Sequence, residues 1–518
     1  MNSHPIRHVV CLLPGVFCLL ALREILALDG DGSSLRIVAE VVLGAGVLLS
    51  IFAAVYPDRT WKPVVEAAQR LLATPIPSCV GDRSSKITGV VLIAVAGVWL
   101  VMNWSDFDRQ NQSTSGGDDE AAYLQVAGEI ADSGGTSALI GDLYGGKFSE
   151  ANRNPLYLWL LSFRPEFTAG KRLSFAIAFV AFLVIVGQTL QTDGVLSAGC
   201  VAVLLATNGA FCRLAATVGC EPVLVLLLGL LWWQAAWIKN CRSADATPVK
   251  PFFLAGHAAV TGLLLALLWL SKGTGLVVTA AFGAWIVLLL PYSADSTPST
   301  APAAPDSVAV AWANRGRVAR NLKLVCLMAI VWCVVASPLL VRNIRMYEEP
   351  FYNVNSWLMF VDTYSDPVAL SQQQTVGETA SEYLASHSVS DLVRREALGL
   401  VWESFITIRM LGPAHLQEGR VLPGLLLSML IGIGFLLSDR NERWLIALLL
   451  LLSLPLFAWY VPVAAGERFP VPLLAPLLIM GARGLVHVSS VAGQRLHIPP
   501  SVVTVGVLLV WLLARFQL

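Results

Sequence analysis

Apolar stretches about as long as a bilayer crossing recur along this chain, and they constrain its fold more than any other feature. In hydrocarbon, backbone polar groups are satisfied only within a helix or a closed barrel, and about 17–23 apolar residues in a helix reach across the core. Such runs lie near residues 8–28, 36–56, 87–104, 173–191, 194–212, 216–238, 253–271, 274–291, 323–341, 421–438, 444–462, 469–487 and 500–516. Arg23 and Glu24 interrupt the first near one end. Composition agrees: of 518 residues, 56% are hydrophobic and 14% charged, and mean hydropathy is +0.67. A water-soluble fold of that make-up would leave apolar surface uncovered. The sequence therefore predicts an all-α polytopic membrane protein with about 13 transmembrane helices, in contact with membrane lipids.

The net charge is zero and there is no long basic tract, so no nucleic-acid partner is expected. Most of the nine cysteines lie inside apolar runs, so neither a disulfide framework nor a CxxC metal site is expected. The first apolar run lacks a small-residue cleavage site and is expected to be a retained helix.

Sidedness follows from basic residues in short loops, which stay in the cytoplasm. Arg59, Lys62, Arg70, Arg83 and Lys86 mark one loop; Lys239, Arg242 and Lys250 a second; Arg315, Arg317 and Arg320 a third; Arg440 and Arg443 a fourth. All four fall on one face when the runs are counted. The expected organisation is N-terminal transmembrane helices over 1–104, a first outer loop over 105–172, central transmembrane helices over 173–341, a second outer loop over 342–420 and C-terminal transmembrane helices over 421–518. In the second loop Leu392, Leu398, Leu400, Val401 and Phe405 recur at helical spacing, which predicts one or two amphipathic helices on the outer surface or capping a cavity.

The first outer loop opens with "GGDDEAAYLQVAGEIADSGG". Tyr123, Val126, Ala127 and Ile130 share one helical face, and Asp118 and Asp119 stand at the N-terminus, where the helix dipole favours negative charge. Alone, that reads as a helix cap. Other charges, however, fall on the same outer side: Arg153 before an aromatic segment, Glu221 opening a run, Lys272 in a tight turn, Arg342 and Arg345 after another run, and Glu467 with Arg468 in a late turn. Outer arginines run against the positive-inside bias, which points to specific partners. A carboxylate takes a proton from a hydroxyl nucleophile, and cations stabilise a departing phosphate.

In order, "DEAAY", "RNPLYLWLL", "CEPVLVLLL", "SKGTGLVV", "SPLLVRNIRMYEEPFYN" and "ERFPVPLLAP" resemble the GT-C glycosyltransferases, notably protein O-mannosyltransferases and the bacterial aminoarabinose transferase of lipid A. The resemblance covers roughly residues 87–490. It implies a polyprenyl-phosphate-linked sugar donor, a lipid, glycan or protein acceptor, and an active site on the periplasmic side of the bacterial inner membrane. It also implies that Asp119, or Asp118 beside it, is the catalytic carboxylate, with Glu120 and Tyr123 shaping the pocket. Arg153, Lys272, Arg342, Arg345 and Arg468 become candidates for the donor phosphate, Arg342 and Arg468 foremost. Glu221 and Glu467 would orient those cations or touch sugar hydroxyls. The chain departs from the family in having two runs before the one leading into the acidic loop, and in lacking the soluble C-terminal domain of some relatives. No cofactor is expected. The DxD of "SDFDR" (Asp106 to Arg109) has no accompanying ligand set and is read as interfacial charge, so no metal is expected either.

Two other classes of membrane protein place their charges differently. A secondary transporter or lipid flippase keeps ionisable groups near the midplane, often in repeated halves, whereas here they sit at run ends. An O-antigen ligase or polymerase would place Arg and His in the late outer loop, where only His387 and His415 occur.

Overall fold

The computed structural model describes residues 83–110, 118–240, 251–289, 307–413 and 422–513. The first two expected spans and His415 lie outside the described residues. Among the described residues, seven helices are long and apolar enough to cross a membrane. They are α1 (Arg83–Gln110), α5 (Phe167–Asp193), α8 (Glu221–Asn240), α9 (Pro251–Ser271), α11 (Ser307–Tyr347), α16 (Arg440–Tyr460) and α17 (Leu474–Leu496). Four further apolar helices are shorter: α6 (Val195–Ala206), α10 (Gly275–Ala284, continuing as a π turn), α15 (Leu422–Leu437) and α18 (Pro500–Leu513).

Several boundaries differ from expectation, α5 starting at Phe167 and α17 ending at Leu496 among them. The run over 194–212 is not one helix. It breaks at Thr207 and Asn208, where the Asn208 side chain accepts from Phe211 N, capping α7 (Gly209–Leu214), and donates to Met410 O. Polar capping at the break outweighs continuous hydropathy. α1 runs on to Gln110, past the boundary expected at 104. α11 begins at Ser307, ahead of the boundary expected at 323 and taking in Arg315, Arg317 and Arg320 of the expected third basic loop, and continues as one helix to Tyr347.

The bundle is organised around α17, whose most apolar window is 83% buried, against 22% for α1 and α11. α17 meets α15 through Gly434, Gly481 and Gly484. A Cβ at Gly434 would strike the Met480 carbonyl and one at Gly484 the Leu430 carbonyl, so two backbones lie in direct contact. Small residues let helices approach where hydrocarbon solvent supplies no hydrophobic drive. On α1 the exposed Ile87, Val91, Val95, Val98 and Met102 form a helical stripe facing away from the bundle, as a lipid-facing surface requires.

Ion pairs close one end of the bundle. Arg483 of α17 bonds Asp193 at the end of α5 and Glu442 of α16, while Lys239 at the end of α8 reaches Asp439 at 2.6 Å and Glu442 at 2.8 Å. At the opposite end stand the two segments expected to be outer loops, the first with α2 (Asp118–Asp132), α3 (Gly135–Gly145) and α4 (Pro155–Ser162), and the second with α12 (Pro367–Gln373), α13 (Val376–Ser386) and α14 (Val389–Met410). The predicted face of α2 is inward: Ala127 and Ile130 are buried, Tyr123 and Val126 partly so.

The amphipathic helix of the second loop forms as α14, but its buried face is not the apolar one. Arg395, Gly399, Glu403, Ile406 and Met410 turn inward, and Val389, Val393 and Trp402 are exposed. Gly399 lies against the Ala458 carbonyl of α16, closer than any side chain tolerates. Periodicity locates a face; it does not distinguish protein from lipid as that face's neighbour.

Candidate active site

Two antiparallel neighbours, α8 and α9, present opposite termini at the same end of the bundle. Glu221 is the first residue of α8, where the dipole is positive; Lys272 follows the last residue of α9, where it is negative. Each charge suits its own helix end, and the two meet, Lys272 Nζ lying 3.3 Å from Glu221 Oε1. The late turn before α17 adds Phe469, whose ring carries Lys272 at 5.2 Å and Arg468 at 5.5 Å.

Asp119 joins them from the second position of α2. Arg468 Nη1 donates to its Oδ2 at 2.6 Å and Arg153 Nη2 to its Oδ1 at 3.3 Å, although 59% of the side chain stays exposed. Burial raises the Asp119 pKa, but the hydrogen bond and charge of Arg468, seconded by Arg153, outweigh it and hold the carboxyl below its ordinary value. The pair is reciprocal: burial disfavours the charged Arg468, and Asp119 more than restores it. The cluster is thus an anion held between two guanidiniums, with a lysine–glutamate pair beside it. Five segments distant along the chain contribute.

Arg153 is positioned by Glu150, which accepts from its backbone N–H at 2.9 Å and pairs with its guanidinium at 3.7 Å, and by Tyr123, over whose ring it lies at 5.2 Å. Burial, with the charges of Cys220 and Glu221, keeps the Tyr123 hydroxyl protonated, and it donates to Cys220 Sγ at 3.4 Å. Burial also pushes the Cys220 thiol up to about 11, so it is no nucleophile at neutral pH. Glu120 accepts from Val218 N at 2.8 Å, tying α2 to the segment that ends in Glu221. The side chain of Asp118 lies outside the described residues.

Glu467 turns from Arg468 to two cations that the sequence reading passed over, Arg213 at the end of α7 and Arg409 of α14, at 3.0 Å from the latter. Both fall where the sequence expects the outer side, one just past the run over 194–212 and one inside the second expected loop. The rule that singled out Arg468 would have found them.

Arg342 and Arg345 are placed elsewhere. Arg342 is 2% exposed, its Nε donating to Phe148 O at 3.0 Å and its Nη1 to Asn343 Oδ1 at 2.6 Å, with its guanidinium over the Phe148 and Tyr347 rings. It fastens the loop 146–153 to the end of α11. Arg345 is exposed, and its Cβ packs on Gly146, whose φ of +68° and whose lack of a side chain are both needed there. The DxD carboxylates are committed to cations, Asp106 to Arg109 and Asp108 to Lys171 at 2.5 Å.

No protein-family model matches the chain, and no curated protein matches it in sequence. Among solved structures it is similar to the archaeal oligosaccharyltransferase AglB from Archaeoglobus fulgidus in complex with an inhibitory peptide and a dolichol-phosphate, at 13% identity and a TM-score of 0.43 over 84% of this chain and 55% of that one. It is also similar to a crystal structure of the Archaeoglobus fulgidus oligosaccharyltransferase in complex with Zn and sulfate, at 13% identity and a TM-score of 0.44 over 82% of this chain and 52% of that one. The chain spans about half the length of these solved structures.

Proposed function

We propose that the chain is a membrane glycosyltransferase that moves a sugar from a polyprenyl-phosphate carrier to a lipid, glycan or protein acceptor at the extracytoplasmic surface, in a bacterial inner membrane. One observation carries the reading: a carboxylate, Asp119, sits between Arg153 and Arg468, beside Glu221 and Lys272 at the ends of two membrane-length helices. A soluble acceptor and a lipid-borne donor meet only at such a level. The lipid tail stays among the helices while its phosphate reaches Arg468 and Lys272.

In the reaction an acceptor hydroxyl or amine attacks the anomeric carbon, and the carbon–oxygen bond to the phosphate breaks. The phosphate leaves with the electron pair, and the acceptor's proton passes to Asp119. Attack opposite the leaving group inverts the anomeric centre. The cations supply charge where the leaving group gains it, which is the larger share of such catalysis. Asp119 begins as a weak base because two guanidiniums hold its charge. A phosphate drawing Arg468 away raises the proton affinity of Asp119, so donor arrival itself activates the base.

The test is transfer from a labelled polyprenyl-phosphate sugar in membranes containing the protein. Asp119→Asn is expected to lower transfer by about two to four orders of magnitude. Undiminished transfer in that variant would remove Asp119 from the mechanism.

A further inference from the structure

Beside the ion cluster, and separated from it by the loop 147–153, lies a cleft of about 1010 Å³ between the first and second outer segments. That is the upper end of the range for small-molecule sites, about 300–1,000 Å³, and leaves room for a ligand of several rings. Its charge is opposite in kind to that of the cluster. Glu129, Asp142, Glu150, Glu349 and Glu378 line it against the single cation Lys147. A phosphate would be repelled there.

The rest of the lining is amides and aromatic rings. Gln125, Asn152, Gln372 and Gln374 offer both donors and acceptors. Tyr347 and Tyr352, stacked at 3.6 Å, form one wall, with Trp357 edge-on to Tyr352 at 5.6 Å. Amides and carboxylates match a sugar, whose hydroxyls need directional partners; the Tyr347 ring, stacked on Tyr352 and covered by Arg342, backs the wall rather than offering a face. Arg342 lies over Tyr347 at 5.3 Å and holds the Phe148 carbonyl. Glu150 faces the cleft and pairs with Arg153, which pairs with Asp119, so two successive ion pairs link the cleft lining to the carboxylate.

We propose that this cleft binds a neutral or amine-bearing oligosaccharide and holds it as the acceptor, with the phosphate chemistry kept on the far side of the loop. Binding stands on the lining alone; the acceptor role rests on the transferase reading.

The test uses the purified full chain in nanodiscs, titrated by ligand-observed NMR with four probes: maltotriose, a glucosamine trisaccharide, a sulfated trisaccharide and a basic hexapeptide. The first two are expected to bind, the sulfated one at least tenfold more weakly. Gln125→Ala and Glu129→Gln, both on the exposed side of α2, should each weaken the trisaccharides about fivefold, the loss of one hydrogen bond. Ser371→Trp, on the opposite wall, checks the same cleft by filling it and should abolish binding. Equal binding of the sulfated probe, binding of the peptide alone, or trisaccharide affinity unmoved by all three variants would overturn the cleft and leave the transferase reading standing. Trisaccharide binding in a protein that turns over no polyprenyl-phosphate sugar would overturn the acceptor role alone.

Discussion

Asp119 and Arg468 show how much a residue's role depends on what faces it. In sequence the acid reads equally well as a helix cap, and Arg342 is as good a phosphate ligand as Arg468. Packing separates them, since one arginine is sealed behind a wall and the other keeps 47% of its side chain open beside a carboxylate. The pairing has a pH signature. Asp119's pKa is depressed in the fold, so it is ionised throughout neutral pH, and its ion pair is lost only as pH falls through that low value. Arg468→Gln removes the two largest lowering influences and leaves burial, which raises the pKa, opposed by Arg153 alone. The acidic limb of the rate profile is therefore expected to move to higher pH, and the donor KM to rise by about tenfold or more. A pH–rate profile of the variant that overlays the wild type would show that Asp119 does not titrate in the rate.

At the scale of the element, α14 is the least legible helix. Its hydrophobic spacing is correct, yet its inner face carries Arg395 and Glu403. Arg395 is met by the Trp459 and Val361 carbonyls and the Tyr383 hydroxyl. Glu403 is 1% exposed, neither of its oxygens has a hydrogen-bond partner among the described residues, and burial pushes its pKa up to about 7. The sign follows: the folded state holds this proton more tightly than the unfolded chain, so stability falls as pH rises from the ordinary value of 4.5 to about 7, then levels off. Glu403→Gln should abolish that decline and stabilise the protein at pH 8 by about 1–3 kcal/mol. Thermal unfolding in detergent at pH 5 and pH 8 measures it. A variant as pH-sensitive as the wild type would mean that another group sets the decline.

Over the whole molecule, charge is segregated to the two ends of an apolar bundle, but the ends differ in kind. At one, Arg483 is nearly enclosed by Asp193 and Glu442, with 14% of its side chain exposed. At the other, the pairs around Asp119 and Arg468 are half open. A closed network fastens α5, α8, α16 and α17; an open one is available to a ligand. Removing one partner of a buried pair strands the other charges, at a cost of about 3–5 kcal/mol. Arg483→Leu is therefore expected to lower thermal stability markedly, and Arg468→Gln much less, in parallel unfolding scans. Equal losses would mean that the Asp119 end is also a structural clamp.

The sequence alone determined the all-helical plan, because hydropathy over a span's length is a local sum. The inward face of α2 was legible for the same reason, as was the placing of Glu221 and Lys272 at helix ends on one level; that they pair is seen only in the fold. The sequence did not determine that Arg342 faces a tyrosine stack while Arg468 faces Asp119, that Arg213 and Arg409 bind Glu467, or that a cleft separates two outer segments some 200 residues apart. Those outcomes depend on which surfaces touch, and contact between segments distant along the chain is decided by glycine-sized gaps, buried polar atoms and helix ends that only the assembled bundle brings together.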